Sequence, residues 1–311
     1  MNLAFISFEQ VIIMFIMISL GFILVKLKLI DIGAKKTLSN ILVYLVVPFM
    51  IINSYVTEYN QTIMNNLLYT FLISFVVLIL GIVFVFFISL FYHIDSKRIL
   101  MFAMMFSNAA YMGFPLVEAM FGADGLIYAS GFVSMFNILL WTIGYMIVSR
   151  SFSFKTAVVG ILKTPVLYAL IIGIIIFFFQ IPIPNLILKP ISLIGAMNTP
   201  LSMIITGMII ASSNIFKAIK NKYLWLSSVI RLIIIPFISL GVILLFNLVG
   251  VNKDVLKIVF ILEACPCAAI TSIFAIKFNY DENLAASLVV VTTLISAVTL
   301  PLFVLLVECI L

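Results

Sequence analysis

Two short stretches carry residue types that a lipid-facing segment has no use for. Ser107-Asn108-Ala109-Ala110-Tyr111-Met112-Gly113-Phe114-Pro115 puts an amide, a glycine and a proline inside an apolar run. Leu262-Glu263-Ala264-Cys265-Pro266-Cys267 puts an acid and a second proline inside another. Proline removes a backbone donor and clashes with the preceding turn, yet it suits the first turn of a new helix. A helix interrupted at Pro115 or Pro266 therefore exposes carbonyls from its first half and amides from its second. Carbonyl ends attract cations and amide ends attract anions. Two such interruptions that meet make a site of both characters. The expected chemistry is reversible binding of a small charged solute, with no covalent bond broken.

Asn108 is the leading ligand candidate, by its place in the first interruption. Tyr111 and Asn137 add donors and acceptors, Gly113 permits close backbone approach, and Pro266 and Cys267 line the second interruption. Glu263 is the only acid deep within an apolar run, away from its ends. An ionisable group at the bilayer centre costs about 2.5–3.5 kcal/mol on insertion scales, so Glu263 is expected to bind a coupling proton or sodium ion, or else to serve as a structural partner. Arg231 follows Lys222 by nine residues and is also deep. Three roles are open to it: a fork onto a substrate carboxylate, a pair with Glu263, or snorkelling to the membrane edge. Asn198, Thr199 and Ser202 read as polar glue between helices. Cys265-Pro266-Cys267 is similar to the intramembrane motif of heavy-metal pumping ATPases, whose thiolates suit copper(I). The nucleotide machinery of those pumps is missing, so the two cysteines read as small buried residues. Three cysteines and one histidine, His93 in a loop, supply neither a disulfide framework nor a His-based metal site. With no nucleotide-binding or Ser-His-Asp pattern, neither a cofactor nor an enzymatic activity is expected, and any pumping draws on a gradient.

These residues need a membrane to hold them. Hydrophobic residues make up 65% of the 311, charged residues 9%, and the mean hydropathy is +1.37. Soluble domains are about half apolar and a quarter charged. Ten apolar runs are each long enough for a roughly 30 Å hydrocarbon core. They cover approximately 7–25, 38–56, 66–92, 98–118, 124–149, 160–180, 185–212, 222–248, 254–276 and 283–309. The first run lacks a basic start, its first lysine being Lys26, so it reads as a retained helix that enters from outside. The net charge of +6 is spread over short loops, which points to topology and away from nucleic acid. Alternate loops hold 13 and 3 of the 17 lysines and arginines, with Arg231 left inside a run. The 13 are Lys26, Lys28, Lys35, Lys36, Lys97, Arg98, Arg150, Lys155, Lys163, Lys217, Lys220, Lys222 and Lys277; the 3 are Lys189, Lys253 and Lys257. The lysine-rich side is expected to be cytoplasmic, with both termini outside a plasma membrane.

The chain also repeats. Pro48 and Pro200 lie 152 positions apart, Pro115 and Pro266 lie 151 apart, and Ala129-Ser130 and Ala286-Ser287 recur at a similar offset. Five runs per half is an odd number, so the second half enters the bilayer upside down, as in many secondary transporters. Asn108 is 10 residues past Arg98 and Glu263 is 10 past Lys253. At roughly 15 Å from opposite faces, both sit near the midplane. The expected fold is all-α: ten transmembrane helices in two inverted five-helix repeats, 1–155 and 156–311, with the fourth and ninth broken and crossing.

Asn108-Ala-Ala-Tyr-Met-Gly113-Phe-Pro115 resembles the interrupted fourth helix of the auxin efflux carrier family, and Phe136-Asn137-Ile-Leu-Leu-Trp141-Thr-Ile-Gly144 resembles its fifth. Lys163-Thr-Pro165, Pro200-Leu-Ser-Met-Ile-Ile-Thr-Gly207, Arg231-Leu-Ile-Ile-Ile-Pro236, Glu263 to Pro266 and Thr299-Leu-Pro301 extend the likeness over essentially the whole chain. The resemblance implies an architecture similar to sodium/bile-acid symporters and NhaA. Helices one, two, six and seven would be a scaffold, with a homodimer surface through two and seven. Helices three to five and eight to ten would be a moving transport domain. It further implies transport of a small organic anion: auxin in plants, malate or malonate in bacterial relatives. The short connection between helices five and six, and Asn-Ala-Ala where plant carriers have Asn-Pro-Asn, are similar to the bacterial dicarboxylate branch. Two alternatives stand beside this expectation. One is a sodium- or proton-coupled carrier of another solute with Glu263 as its coupling site. The other is a non-transporting membrane receptor, for which the chain carries no soluble signalling domain.

Overall fold

A computed structural model describes residues 3–150, 154–212 and 219–311; Lys217 of the lysine-rich side lies outside them. The described residues are helical, with no strand among them. In lipid the backbone must satisfy its own donors and acceptors, and a helix does so within one segment. The helices are α1 (Leu3–Lys26), α2 (Ala34–Ser54), α3 (Gln61–Ser89), α4 (Lys97–Met105), α5 (Ala109–Ser149), α6 (Phe154–Leu162) and α7 (Pro165–Phe179). There follow α8 (Asn185–Gly195), α9 (Asn198–Ser212), α10 (Lys222–Leu248), α11 (Lys253–Ala264), α12 (Ile270–Lys277) and α13 (Glu282–Ile310).

Among the described residues seven helical stretches are long and apolar enough to cross a membrane, with α8 and α9 counted as one. The ten apolar runs do not map onto them one to one. The fourth run is divided between α4 and the front of α5, and the ninth between α11 and α12. The main helix of the sixth run, α7, has 15 residues. The rear of α5 is the fifth run, and Gly122 separates it from the front. Its φ of +65° and ψ of −152° form a conformation open in practice to glycine alone, so the chain turns there without a loop.

Three of the prolines in these helices are accommodated by an extra residue. Leu42–Val46, Ala109–Gly113 and Ile230–Ile234 are π turns, each two residues ahead of a proline: Pro48, Pro115 and Pro236. In each, the closing amide reaches five residues back, as from Val47 to the Leu42 carbonyl. That shift absorbs the donor and the space that proline denies to a regular turn.

Two crossings are set by glycine. A Cβ on Gly21 of α1 would collide with the Ile204 backbone of α9, and one on Gly207 of α9 with the Ile18 carbonyl oxygen and the Phe22 amide of α1. The two backbones are thus in direct contact. In α7, a Cβ on Gly173 would meet the Tyr55 ring of the α2 end at 2.6 Å. More widely, α1 packs on α9 and α13, while α7 packs on α2 and α5. The core of buried side chains runs through α3, α4, α5, α11 and α13, around the two interruptions.

Candidate functional site

The first interruption begins where α4 ends. Phe106 is extended at φ −113° and ψ +122°, and Asn108 sits at φ −84° and ψ +42° before the π turn resumes the helix. The unwinding therefore precedes Pro115 by several residues. This corrects the expectation that Pro115 itself breaks the helix: the π turn lets Pro115 sit in the regular first turn that follows. Pro266 does lie within the second interruption, between Cys265 at φ −58°, ψ +153° and the start of α12.

The two unwound stretches pair with each other. The Asn108 amide donates to the Pro266 carbonyl at 2.7 Å, and the Ala268 amide donates to the Phe106 carbonyl at 2.9 Å. Ser107 and Cys267 thereby form a single antiparallel bridge. Unwinding strands backbone groups in a dry interior, and mutual pairing is how these are satisfied. A side chain serves one more: the Cys267 amide donates to Thr292 Oγ1 of α13 at 3.2 Å. Close approach is needed as well. A Cβ on Gly113 would lie 2.5 Å from Leu262 Cδ2 and 3.4 Å from Cys265 Sγ, so Gly113 lets α5 settle onto α11.

Arg231, within the π turn of α10, answers the carbonyl ends of both first halves. Its Nη1 donates to the Met104 carbonyl at 3.1 Å and to Glu263 Oε1 at 3.0 Å. Its Nε donates to the Cys265 carbonyl at 3.2 Å, and Nη2 bonds the Glu263 carbonyl. Both partners are buried, at 0% and 1% exposure. Of the three roles open to Arg231, the pair with Glu263 is the geometry found. In this geometry its donors serve two helix ends and a carboxylate.

The amide side is different. The π turn opens with Ala109, Ala110 and Tyr111, where a helix has no internal acceptors for its amides. Ser107 Oγ and Asn108 Nδ2 are buried with no partner, and so is Glu263 Oε2. Asn108 itself is 4% exposed. The arrangement can therefore hold an anion against backbone amides and the Asn108 carboxamide, beside a carbonyl side already neutralised by Arg231.

Other sequence-derived candidates divide. Tyr111, Gly113, Pro266 and Cys267 lie in or beside the paired stretches. Cys267 Sγ is 3.4 Å from the Thr271 hydroxyl, and Cys265 Sγ donates to the Ile261 carbonyl. Asn137 is not brought in by a bond: its Nδ2 donates to the Val133 carbonyl of its own helix at 2.8 Å. Its neighbour Phe136 stacks edge-on against Phe106, with centroids 5.3 Å apart. Thr292 has no motif to mark it, and Asn198 sits beside the crossing where polar glue was expected. Asn198 is fully buried on α9, which packs on the Ala109–Gly113 turn, and both its amide atoms lack partners. A buried asparagine with nothing to bond was not a signal that spacing could carry.

A family model described as "Membrane transport protein" matches residues 6–157 and 150–304. An uncharacterized transporter of Methanocaldococcus jannaschii is 26% identical over 281 residues, which covers 86% of this chain and 88% of that one. A second uncharacterized transporter, from Methanothermobacter thermautotrophicus, is 26% identical over 200 residues, or 63% of each.

Proposed function

Since the chain belongs to the membrane transport protein family, that of the auxin efflux carriers, and is a transporter and not an enzyme, we propose that it is a permease for a small organic anion. The cargo in this reading is a mono- or dicarboxylate such as malate or malonate. It rests against the amides that open at Ala109–Tyr111, with Asn108 Nδ2 as the side-chain donor. The observation that carries the proposal is the unequal treatment of the two helix ends. Arg231 bonds the carbonyl ends on one side, while the amide side keeps a buried, unpartnered donor, Asn108 Nδ2.

Asn108 is 4% exposed, so a solute reaches it only when packed helices part. Alternating access between two bodies meets that need. The bodies proposed are a scaffold of runs one, two, six and seven, and a transport domain of the rest. Contacts support an inverted repeat. The first run packs on the seventh and tenth, and the sixth packs on the second and fifth, which is the same pattern after an exchange of halves. At the contacts, 152 positions separate Gly21 from Gly173, and 152 separate Tyr55 from Gly207. The Pro48 and Pro200 offset is the same 152. In this reading the ten apolar runs are ten spans of the cell membrane with both termini outside, and copies pair through the second and seventh spans.

The test is uptake of labelled malate and malonate into proteoliposomes. Wild-type protein is expected to take up one of them, and Asn108→Ala to lose uptake while still inserting. Full uptake by Asn108→Ala would defeat the assignment. A second reading, a proton- or sodium-coupled carrier of another solute, draws on the unpartnered Glu263 Oε2. Gradient dependence that vanishes in Glu263→Gln would favour it.

A further inference from the structure

The carbonyl end of a helix carries roughly half a negative charge. Where broken helices expose such ends inside a transporter, the usual occupant is Na⁺ or H⁺. Here α4 and α11 end side by side, with the Glu263 carboxylate between them and the guanidinium of Arg231 in the middle. The guanidinium touches the Met104, Glu263 and Cys265 carbonyls and Glu263 Oε1, and Arg231 is 0% exposed. These are the oxygen ligands of a monovalent cation site, supplied by both interruptions at once.

We infer that Arg231 is a tethered counter-cation: it fills the place of a coupling ion at the crossing and holds the two unwound stretches in register. Arginine stays charged throughout the accessible pH range, and its planar fork reaches several acceptors together. The π turn of Ile230–Ile234 fixes its direction, two residues ahead of Pro236. A cation joined to the chain cannot leave, so no sodium gradient is harvested at Glu263. Arg231 is a positioning residue: it acts on the anion site through the Phe106–Asn108 and Cys265–Ala268 backbone and never touches the cargo. Removing its side chain leaves a buried, oxygen-lined vacancy of guanidinium shape.

The test compares wild type, Arg231→Ala, Arg231→Lys and Arg231→Ala with Glu263→Ala as purified proteins. Thermal unfolding is read in sodium, in N-methylglucamine, and with guanidinium at about 20 mM, far below the molar range in which it unfolds proteins. Wild type is expected to melt at one temperature in all three. Arg231→Ala is expected to melt lower and to recover with guanidinium alone, and the double variant not to recover. Uptake is measured in the same ions. Wild type is expected to transport equally with and without sodium, Arg231→Lys to keep part of that activity, and Arg231→Ala to regain uptake with guanidinium. The inference fails if wild type needs sodium for stability or uptake. It fails as well if Arg231→Ala matches wild type with no added cation, or if guanidinium rescues single and double variants alike. Should Arg231→Ala not fold, the sodium independence of wild type and the partial activity of Arg231→Lys still decide the matter. Only the uptake arm rests on the anion-transport reading. If wild type moves no organic anion, that reading falls while the melting data still judge Arg231.

Discussion

The backbone amide of Asn108 donates to the carbonyl of Pro266 at 2.7 Å, across 158 positions of sequence. This bond separates two roles that one residue holds. The main chain of Asn108 joins the interruptions, and its side-chain Nδ2, buried and unpartnered, is left for the solute. Substitution to alanine touches only the second role. Asn108→Ala is therefore expected to abolish uptake with little change in melting temperature. Asn108→Asp should abolish it too, because a carboxylate repels an anion. Proteoliposome uptake read beside a thermal melt checks both.

Thr292 holds the Cys267 amide from α13 at 3.2 Å. Valine has the same shape and no acceptor. Thr292→Val should strand a buried donor, at a cost of about 1–3 kcal/mol. The expected result is a lower melting temperature and slower uptake, with wild-type behaviour kept in Thr292→Ser.

The backbones of α1 and α9 meet at Gly21 and Gly207, so there a methyl group meets main chain that cannot turn aside. Gly207→Ala is expected to destabilise by about 1–3 kcal/mol or more, as for overpacked cores. Gly241 of α10 is the control, since a Cβ there meets nothing within 4 Å. Gly241→Ala should leave stability unchanged or raise it by roughly 0.5–1 kcal/mol, the helix preference of alanine. Thermal melts of the two variants in the same detergent should move in opposite directions or differ by several degrees.

Glu308 near the end of α13 accepts from the Leu3 and Ala4 amides at 3.0 Å each, one on each carboxylate oxygen. An acid at a helix N-terminus satisfies open donors and suits the helix dipole. Glu308→Ala should cost about 0.5–2 kcal/mol at that end. Hydrogen exchange of residues 3–7 is expected to speed up while exchange around the crossing stays unchanged.

The membrane class and the apolar runs were legible because lipid demands long stretches of one kind of residue. The two interruptions were legible to within a few residues, because proline and polar side chains are out of place in such stretches. Their register was not. Pro115 marks the first break but lies past it, since the π turn of Ala109–Gly113 stands between. Nothing in the order of residues announces a turn of that kind. Depth in the bilayer brought Asn108 and Glu263 to one level and placed Arg231 deep as well, and left open whether Glu263 and Arg231 bond each other or a solute. That choice depends on which way the Ile230–Ile234 turn aims a side chain, a matter of one residue in the helical register. The turn at Gly122 was legible only as a gap between runs, because nothing but a backbone angle sets it apart from a continuous helix.

The stitches between the interruptions are main-chain atoms: the Asn108 and Ala268 amides and the Pro266 and Phe106 carbonyls. No change of side chain deletes them, short of proline at a donor. Residues beside the opening other than those that brace the joint, such as Gly113, Thr292 and Arg231, can therefore be exchanged over evolutionary time while the joint survives. A lineage of such carriers could acquire new cargoes by repainting the walls around a main-chain joint that side-chain change cannot delete outright.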